Sequence, residues 1–240
     1  MSKNINIKLL IALAFISLAI VSSVYYTSHR EITDAHVLSL RAIEASKDTD
    51  SYCFAISTNL SMPQIQEGDV EMTSGEGCVD YRNNKLRTTM TMMNRSIEMI
   101  VIGDMAYVRE SNGSWQTQEL RERSVWKSGS DQLAQQRSIL LNATNVTMQK
   151  EDNGWVLDII PDKEEVVGQM KKAGLETIKE EELKDFTIRY WIEKDSYHIT
   201  KIENKVELEM NIQGLVTPMK LNSAIYLYDY NEKMEIEAPI

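Results

Sequence analysis

Histidine and cysteine are scarce in this chain, with three and two in 240 residues. His29, His36 and His198 are scattered, and no serine, cysteine or carboxylate stands at a triad-like position beside them. Catalysis therefore finds no support, and no cofactor is expected. Two cysteines cannot hold a metal alone, and no histidine lies near Cys53 or Cys78 in sequence. A basic stripe is missing too. Formal net charge is −10, and Lys3 and Lys8 are the only charges in residues 1–26, so the remainder carries −12. Such a domain is a poor partner for phosphate backbones, which sets nucleic acid aside, and it discourages adsorption to an anionic membrane surface. Repeats and low-complexity tracts are absent. With 42% hydrophobic and 26% charged residues, the composition is that of an ordinary globular protein with enough chain for a core.

Only one long apolar run occurs. Residues 1–26 place Lys3 and Lys8 before an uncharged stretch from Leu9 to Tyr26, close to the roughly 18–20 residues that span a bilayer. Positive charge before the run directs the remainder of the chain outward. A cleavable signal is the alternative, because Val21 and Ser23 suit a cleavage site. No cysteine is present there to carry a lipid. The expected organisation is a signal-anchor or transmembrane helix over 1–26, a spacer over 27–33 and an extracytoplasmic domain over 34–240, held at the cell membrane by a single pass.

What the rest of the chain has is alternation. Phe54, Ile56 and Leu60 fall on one side of a strand while Cys53, Ser57 and Asn59 fall on the other. Leu86, Met90 and Met92 repeat the pattern, as do Ile97 and Met99, Trp155 and Leu157, Ile188 and Tyr190, and Leu208 and Met210. A period of two with one apolar side predicts antiparallel strands that hide one face. The chain predicts about six short-linked strands over 50–119, a hairpin over 146–160 and three long strands in the final third. Helices are expected from Thr33 or Asp34 to Lys47, with a stripe of Val37, Leu38, Ala42 and Ala45, then from Ser130 to Leu141, and over 163–173 behind an Asp162–Glu165 capping box. The run Lys179–Glu182 reads as a solvated loop.

The first hairpin fixes a register. If 50–61 and 70–81 turn around Pro63–Asp69, opposed residues sum to 131, and Cys53 then faces Cys78. Cross-strand Cα atoms lie about 5.5 Å apart or less, within disulfide range. A disulfide on an exported chain is the preferred reading, and two free buried thiols are the alternative.

Several local sequences then resemble the LolA-like superfamily of prokaryotic lipoprotein carriers. They are Tyr52-Cys53-Phe54, Gly103-Asp104-Met105-Ala106-Tyr107-Val108 followed by Trp115, Tyr190-Trp191-Ile192-Glu193-Lys194, and the ending Tyr228-Asp229-Tyr230-Asn231 with Ile236 and Pro239. The order of elements over 34–240 is similar as well. This resemblance implies an α+β fold: a large curved antiparallel sheet, or half-open barrel, with a few helices across its concave face. It also implies an apolar cavity for acyl chains, lined by Phe54, Ile56, Leu60, Leu86, Met90, Met92, Ile97 and Met99. Trp155, Leu157, Ile188, Tyr190, Leu208 and Met210 would complete the lining. Many family members are lipidated or soluble, whereas a peptide anchor would keep this chain from shuttling freely.

The expected function is a membrane-anchored binding protein for a lipid or other apolar small molecule, serving envelope transfer or sensing, with another envelope protein as a candidate partner. The alternative is a non-enzymatic glycosylated surface module with an ordinary core. Methionines are adaptable apolar fillers before they are soft-metal ligands, so Met90, Met92, Met93 and Met99 are read as surface made to fit a guest. Five sequons begin at Asn59, Asn94, Asn112, Asn142 and Asn145. Asn112 and Asn142 are the preferred glycan acceptors. Arg121, Arg123, Trp126 and Lys127 form a lone basic-aromatic cluster that reads first as a solvated loop and second as a headgroup contact.

Overall fold

The computed structural model describes residues 32–63, 68–93, 95–120, 132–143, 145–172, 178–212 and 215–239. The expected anchor and the Arg121–Lys127 cluster lie outside the described residues. So do Ser130, Gly174 and Asn94. Among the described residues no helix is long and apolar enough to cross a membrane.

Six strands come first: β1 (Ser51–Ser61), β2 (Asp69–Asp80), β3 (Lys85–Met92), β4 (Arg95–Ile102), β5 (Met105–Glu110) and β6 (Gln116–Glu119). After them come β7 (Val146–Glu151), β8 (Gly154–Ile159), β9 (Leu183–Glu193), β10 (Ile199–Ile212) and β11 (Leu215–Tyr228). All eleven join one open antiparallel sheet in the order β6-β5-β4-β3-β2-β1-β11-β10-β9-β8-β7. The last strand therefore closes against the first. β1 sits between two meanders, one running from it through β6 and the other returning to it through β11. The edge strands β6 and β7 carry Gln116, Gln118 and Glu119, and Lys150 and Glu151, polar groups that discourage pairing with another sheet.

Register obeys the alternation. Cys53 faces Cys78, Phe54 faces Gly77 and Ile56 faces Gly75, and the two cysteines are bonded with Cα atoms 4.0 Å apart. The pairing slips by one residue after Thr58, where Met72 is extra on β2, a bulge that increases local twist.

Three helices cover one face: α1 (Ala35–Lys47), α2 (Gln132–Asn142) and α3 (Lys163–Lys172). α1 packs on α2 and on β7, and α3 packs on β9. On α1 the buried residues are Leu38, Ser39, Ala42, Ile43 and Ser46, while Val37 is exposed. The stripe is thus rotated from the expected Val37–Ala45 line. Two serines are tolerated there because Ser39 Oγ donates to Ala35 O and Ser46 Oγ to Ala42 O, so neither hydroxyl needs water. At α3 the Asp162 carboxylate accepts from Glu164 N at 2.9 Å, an N-terminal cap, while the side chain of Glu165, the other half of the expected box, lies outside the described residues. Glu180–Glu182 form a short 3-10 turn rather than a plain loop.

Two parts of the core lie under helices. Beneath α2, Leu157, Ile188 and Tyr190 are buried, as is Leu133 of the helix. Beneath α3, Val166 and Val167 meet Leu183, Val206 and Leu208, with Phe186, Met210 and Met219 packed alongside.

Candidate functional site

Pairing places all fourteen expected lining residues on one face of the sheet. One rung runs Ile97–Met90–Gly75–Ile56–Ile225–Ile202–Tyr190–Leu157, and its neighbour runs Met99–Thr88–Gly77–Phe54–Leu227. Leu86 lies above these rungs and Leu60 below. Leu208 and Met210 continue the face on β10, opposite Met219 and Thr217. This is the helix-covered face, because the Tyr190 hydroxyl donates to Gln136 Oε1 of α2 at 2.7 Å. Burial pushes the Tyr190 phenol far above its ordinary range, so it stays a neutral donor.

Coverage along that face is uneven. Trp155, Leu157, Ile188, Tyr190 and Leu208 are buried, as are Phe54, Leu60 and Leu86. Ile56, Met90, Met99 and Met210 are only half-buried. Met92 is 54% exposed and Ile97 38% exposed. The open part is therefore a strip across β1, β3 and β4 floored by methionine and isoleucine.

Two glycines deepen it. A Cβ on Gly75 would stand 2.3 Å from Met90 Sδ and 2.6 Å from Thr89 O, and one on Gly77 would stand 2.7 Å from the Phe54 ring. Met90 and Phe54 thus lean across β2 into space that any larger residue would fill. The Gly-x-Gly spacing in a strand, Gly75-Glu76-Gly77, is the signal that sequence reasoning missed. One rung further toward the strip's edge the face turns polar: Thr58 and Ser223 face each other, with hydroxyls 3.2 Å apart, and Asn204 comes next on β10.

The opposite face is of another kind. Its rungs carry Arg109–Glu98, Arg189–Asp158, Lys201–Glu203 and Lys220–Glu207 ion pairs, each at 2.6 Å, and Lys201 Nζ lies 4.4 Å from the Trp191 ring centre. Pairs at the surface contribute little stability, but this row of charges marks the wet side. The disulfide belongs to this face. Beside it the closing segment binds back: Asn231 N donates to Ser51 O, Ser51 Oγ to Glu232 O, and Lys85 Nζ to Ile236 O, with Ile236 buried. A cleft of about 490 Å³ lies between this segment and the strands, lined by Cys53, Glu76, Arg87, Tyr228 and Lys233 among others. A smaller one of about 190 Å³ lies beside Asp158 and Arg189. Both clefts are on the polar side.

His198 stacks on Tyr230 with ring centres 4.1 Å apart, and Tyr230 stacks on Tyr52 at 6.2 Å. The histidine is thus a packing element of the sheet's closure. Among the described residues no group of three or more His, Cys, Asp or Glu could hold a metal ion. Asn112 lies in the exposed β5–β6 turn, and Asn142 is exposed at the end of α2.

The family described as "Family of unknown function (DUF6612)" matches residues 34–240. No curated protein matches the sequence. Among solved structures, lipoprotein LppX of Mycobacterium tuberculosis is 16% identical, with a TM-score of 0.52 over 85% of this chain and 98% of that one. LprF of Mycobacterium bovis is 13% identical, also at a TM-score of 0.52, over 85% of this chain and 96% of that one. A LolA superfamily protein of Nitrosomonas europaea, NE2245, is 13% identical over 85% and 96% of the two chains, but its TM-score of 0.30 is too low to carry an argument. At these identities the likenesses show the fold alone, the one shared with LppX and LprF.

Proposed function

We propose that this chain, which belongs to the DUF6612 family of unknown function, is a non-enzymatic binding protein that holds a lipid or other apolar ligand on the open strip of its sheet. The observation that carries this reading is the strip itself. Ile56, Met90, Met92, Ile97 and Met99 share a face with fully buried core residues, yet remain half-buried or exposed. Unbranched methionines adapt to a flexible chain at little cost. Covering about 200 Å² of acyl surface there would contribute on the order of 5 kcal/mol without a polar contact. A LolA-like fold, curved around such a strip, suits this use. The segment 1–26 would hold the domain on the extracytoplasmic side of the membrane, where the disulfide persists and Asn112 and Asn142 would accept glycans in a host with the enzyme.

The test compares lipid extracted from the full chain with that from a Met90→Asp, Met99→Asp variant. Lipid specific to the wild type, in near-equal amount to protein, is the expected result. Equal lipid on both proteins would sink the reading. A second reading, an interaction module with an ordinary core, is favoured by one observation: beneath α2 and α3 the face is packed solid, with Leu157 and Tyr190 at 0% exposure. Equal lipid in that experiment would support it.

A further inference from the structure

At four places on the polar face opposite charges meet: Arg109–Glu98, Arg189–Asp158, Lys201–Glu203 and Lys220–Glu207. The cleft of about 490 Å³ beside the disulfide is different. Glu76 on β2 and Arg87 on β3 are diagonal neighbours there, since Glu76 faces Thr89 and Arg87 faces Cys78. Diagonal neighbours lie about 7–8 Å apart, within reach of long side chains. Yet among the described residues neither has an ion-pair partner, and Lys233 and Glu235, which also line the cleft, have none either.

Small residues between large ones make the hollow. Tyr228, Cys53, Cys78 and Arg87 form one rung across β11, β1, β2 and β3. The two half-cystines are bonded to each other, so they floor the gap between phenol and guanidinium without filling it. The closing segment is the wall. It is pinned by Ser51 Oγ donating to Glu232 O at 2.7 Å and by Lys85 Nζ donating to Ile236 O at 2.9 Å. A wall fixed in advance lowers the ordering cost of binding. Burial, with the charges of Glu76 and Asp229, raises the Tyr228 phenol above its ordinary range, so it stays a neutral donor in the lining.

The charges define the guest. Glu76, Asp229, Glu232 and Glu235 outnumber Arg87 and Lys233 in the lining, so the cleft favours a cation. Arg87 nevertheless presents a planar fork that matches a carboxylate. The volume falls within the range of small-molecule sites. We infer that this cleft binds a short peptide of net positive charge by its free C-terminal carboxylate, with Arg87 holding the carboxylate and Glu76 an ammonium group. The site lies on the face opposite the methionine strip, so peptide and lipid do not compete.

Isothermal titration calorimetry of the full chain with trilysine at low ionic strength tests this. One trilysine per chain is expected. Trilysine amide, which lacks the carboxylate, should bind about tenfold more weakly, the loss of one charge-assisted contact. Arg87→Gln should weaken trilysine by a similar factor and erase the difference between the two peptides. Glu76→Gln should weaken both peptides about tenfold, whereas Glu119→Gln, on the distant edge strand β6, should weaken neither. Circular dichroism spectra matching the wild type show that the variants fold. Equal affinity for trilysine and its amide overturns the inference, as does an absence of binding. An equal loss in Glu119→Gln also overturns it, because only a general attraction to an acidic surface would remain. The Met90→Asp, Met99→Asp variant should keep its trilysine affinity, so failure of this inference is distinguishable from failure of the lipid reading.

Discussion

Met90 and Leu157 stand on a single rung of the sheet, linked through Gly75, Ile56, Ile225, Ile202 and Tyr190. Their strands alternate identically and both side chains point to the same face. Leu157 is nevertheless sealed while Met90 is half-open. Alternation decides which face a residue joins, and what lies over that face decides its burial. On the β8–β9 flank the cover includes α2, locked down by the Tyr190–Gln136 bond. On the β3–β4 flank Met92 and Ile97 keep a third or more of their surface. One flank is sealed by its helices, and the other is the one proposed to take the ligand.

Truncation should separate the flanks most sharply. Leu157→Ala is expected to cost about 3–4 kcal/mol, the transfer and cavity cost of a sealed site. Met92→Ala should cost less than about 0.5 kcal/mol, as an exposed position. Urea unfolding of both variants tests this, and similar losses would erase the distinction. Opening the disulfide with Cys53→Ala and Cys78→Ala should cost about 3 kcal/mol, given the 25-residue separation. Because that bond ties β1 to β2 on the polar face, it should lower the unfolding midpoint while leaving any lipid bound to the strip.

The two flanks are not equally legible in the sequence. Residue-by-residue alternation announces most of the strands, though not the all-polar β6, and the sum of 131 places Cys53 opposite Cys78 because a hairpin's register is set locally by its turn. The pairing of β1 with β11 spans most of the chain, and no local pattern encodes it. The same limit applies to burial: Met90 and Leu157 read alike as apolar strand positions because the helix that covers one of them is distant in sequence. The pattern locates helix α1 but turns its buried face by one residue. Ser39 and Ser46 read as polar, whereas each satisfies its hydroxyl within the helix. The glycines at 75 and 77 make room for Met90 and Phe54, a role that shows only once the strands are paired.

Smaller perturbations sharpen the comparison. Tyr190→Phe should cost about 1–3 kcal/mol, because Gln136 Oε1 would stay buried without its donor. Gly75→Ala should cost about 1–3 kcal/mol, since Met90 can swing away but Thr89 O, a backbone atom, cannot easily do so. The second change acts on the open flank, so it should also displace ligand, whereas Tyr190→Phe should not. Calorimetry with and without bound lipid distinguishes the two, and equal effects on binding would merge the flanks.

The smallest effect is expected where the meanders meet, at His198. Burial against Tyr230 lowers its proton affinity below the ordinary histidine value, and Glu193 partly offsets this. A depressed folded-state value means that the unfolded chain binds the proton first as pH falls. Stability is therefore fully present above about pH 6.5, the ordinary histidine value, and declines below it until the folded-state imidazole is protonated as well. His198→Gln should flatten this part of the profile and leave Tyr190 and the α2 contact untouched. Unfolding midpoints measured between pH 5 and pH 8 check it. A wild-type profile that is already flat there would mean that the stacked ring accepts its proton as readily folded as unfolded, and the closure of β11 on β1 would then have no acid sensitivity of its own.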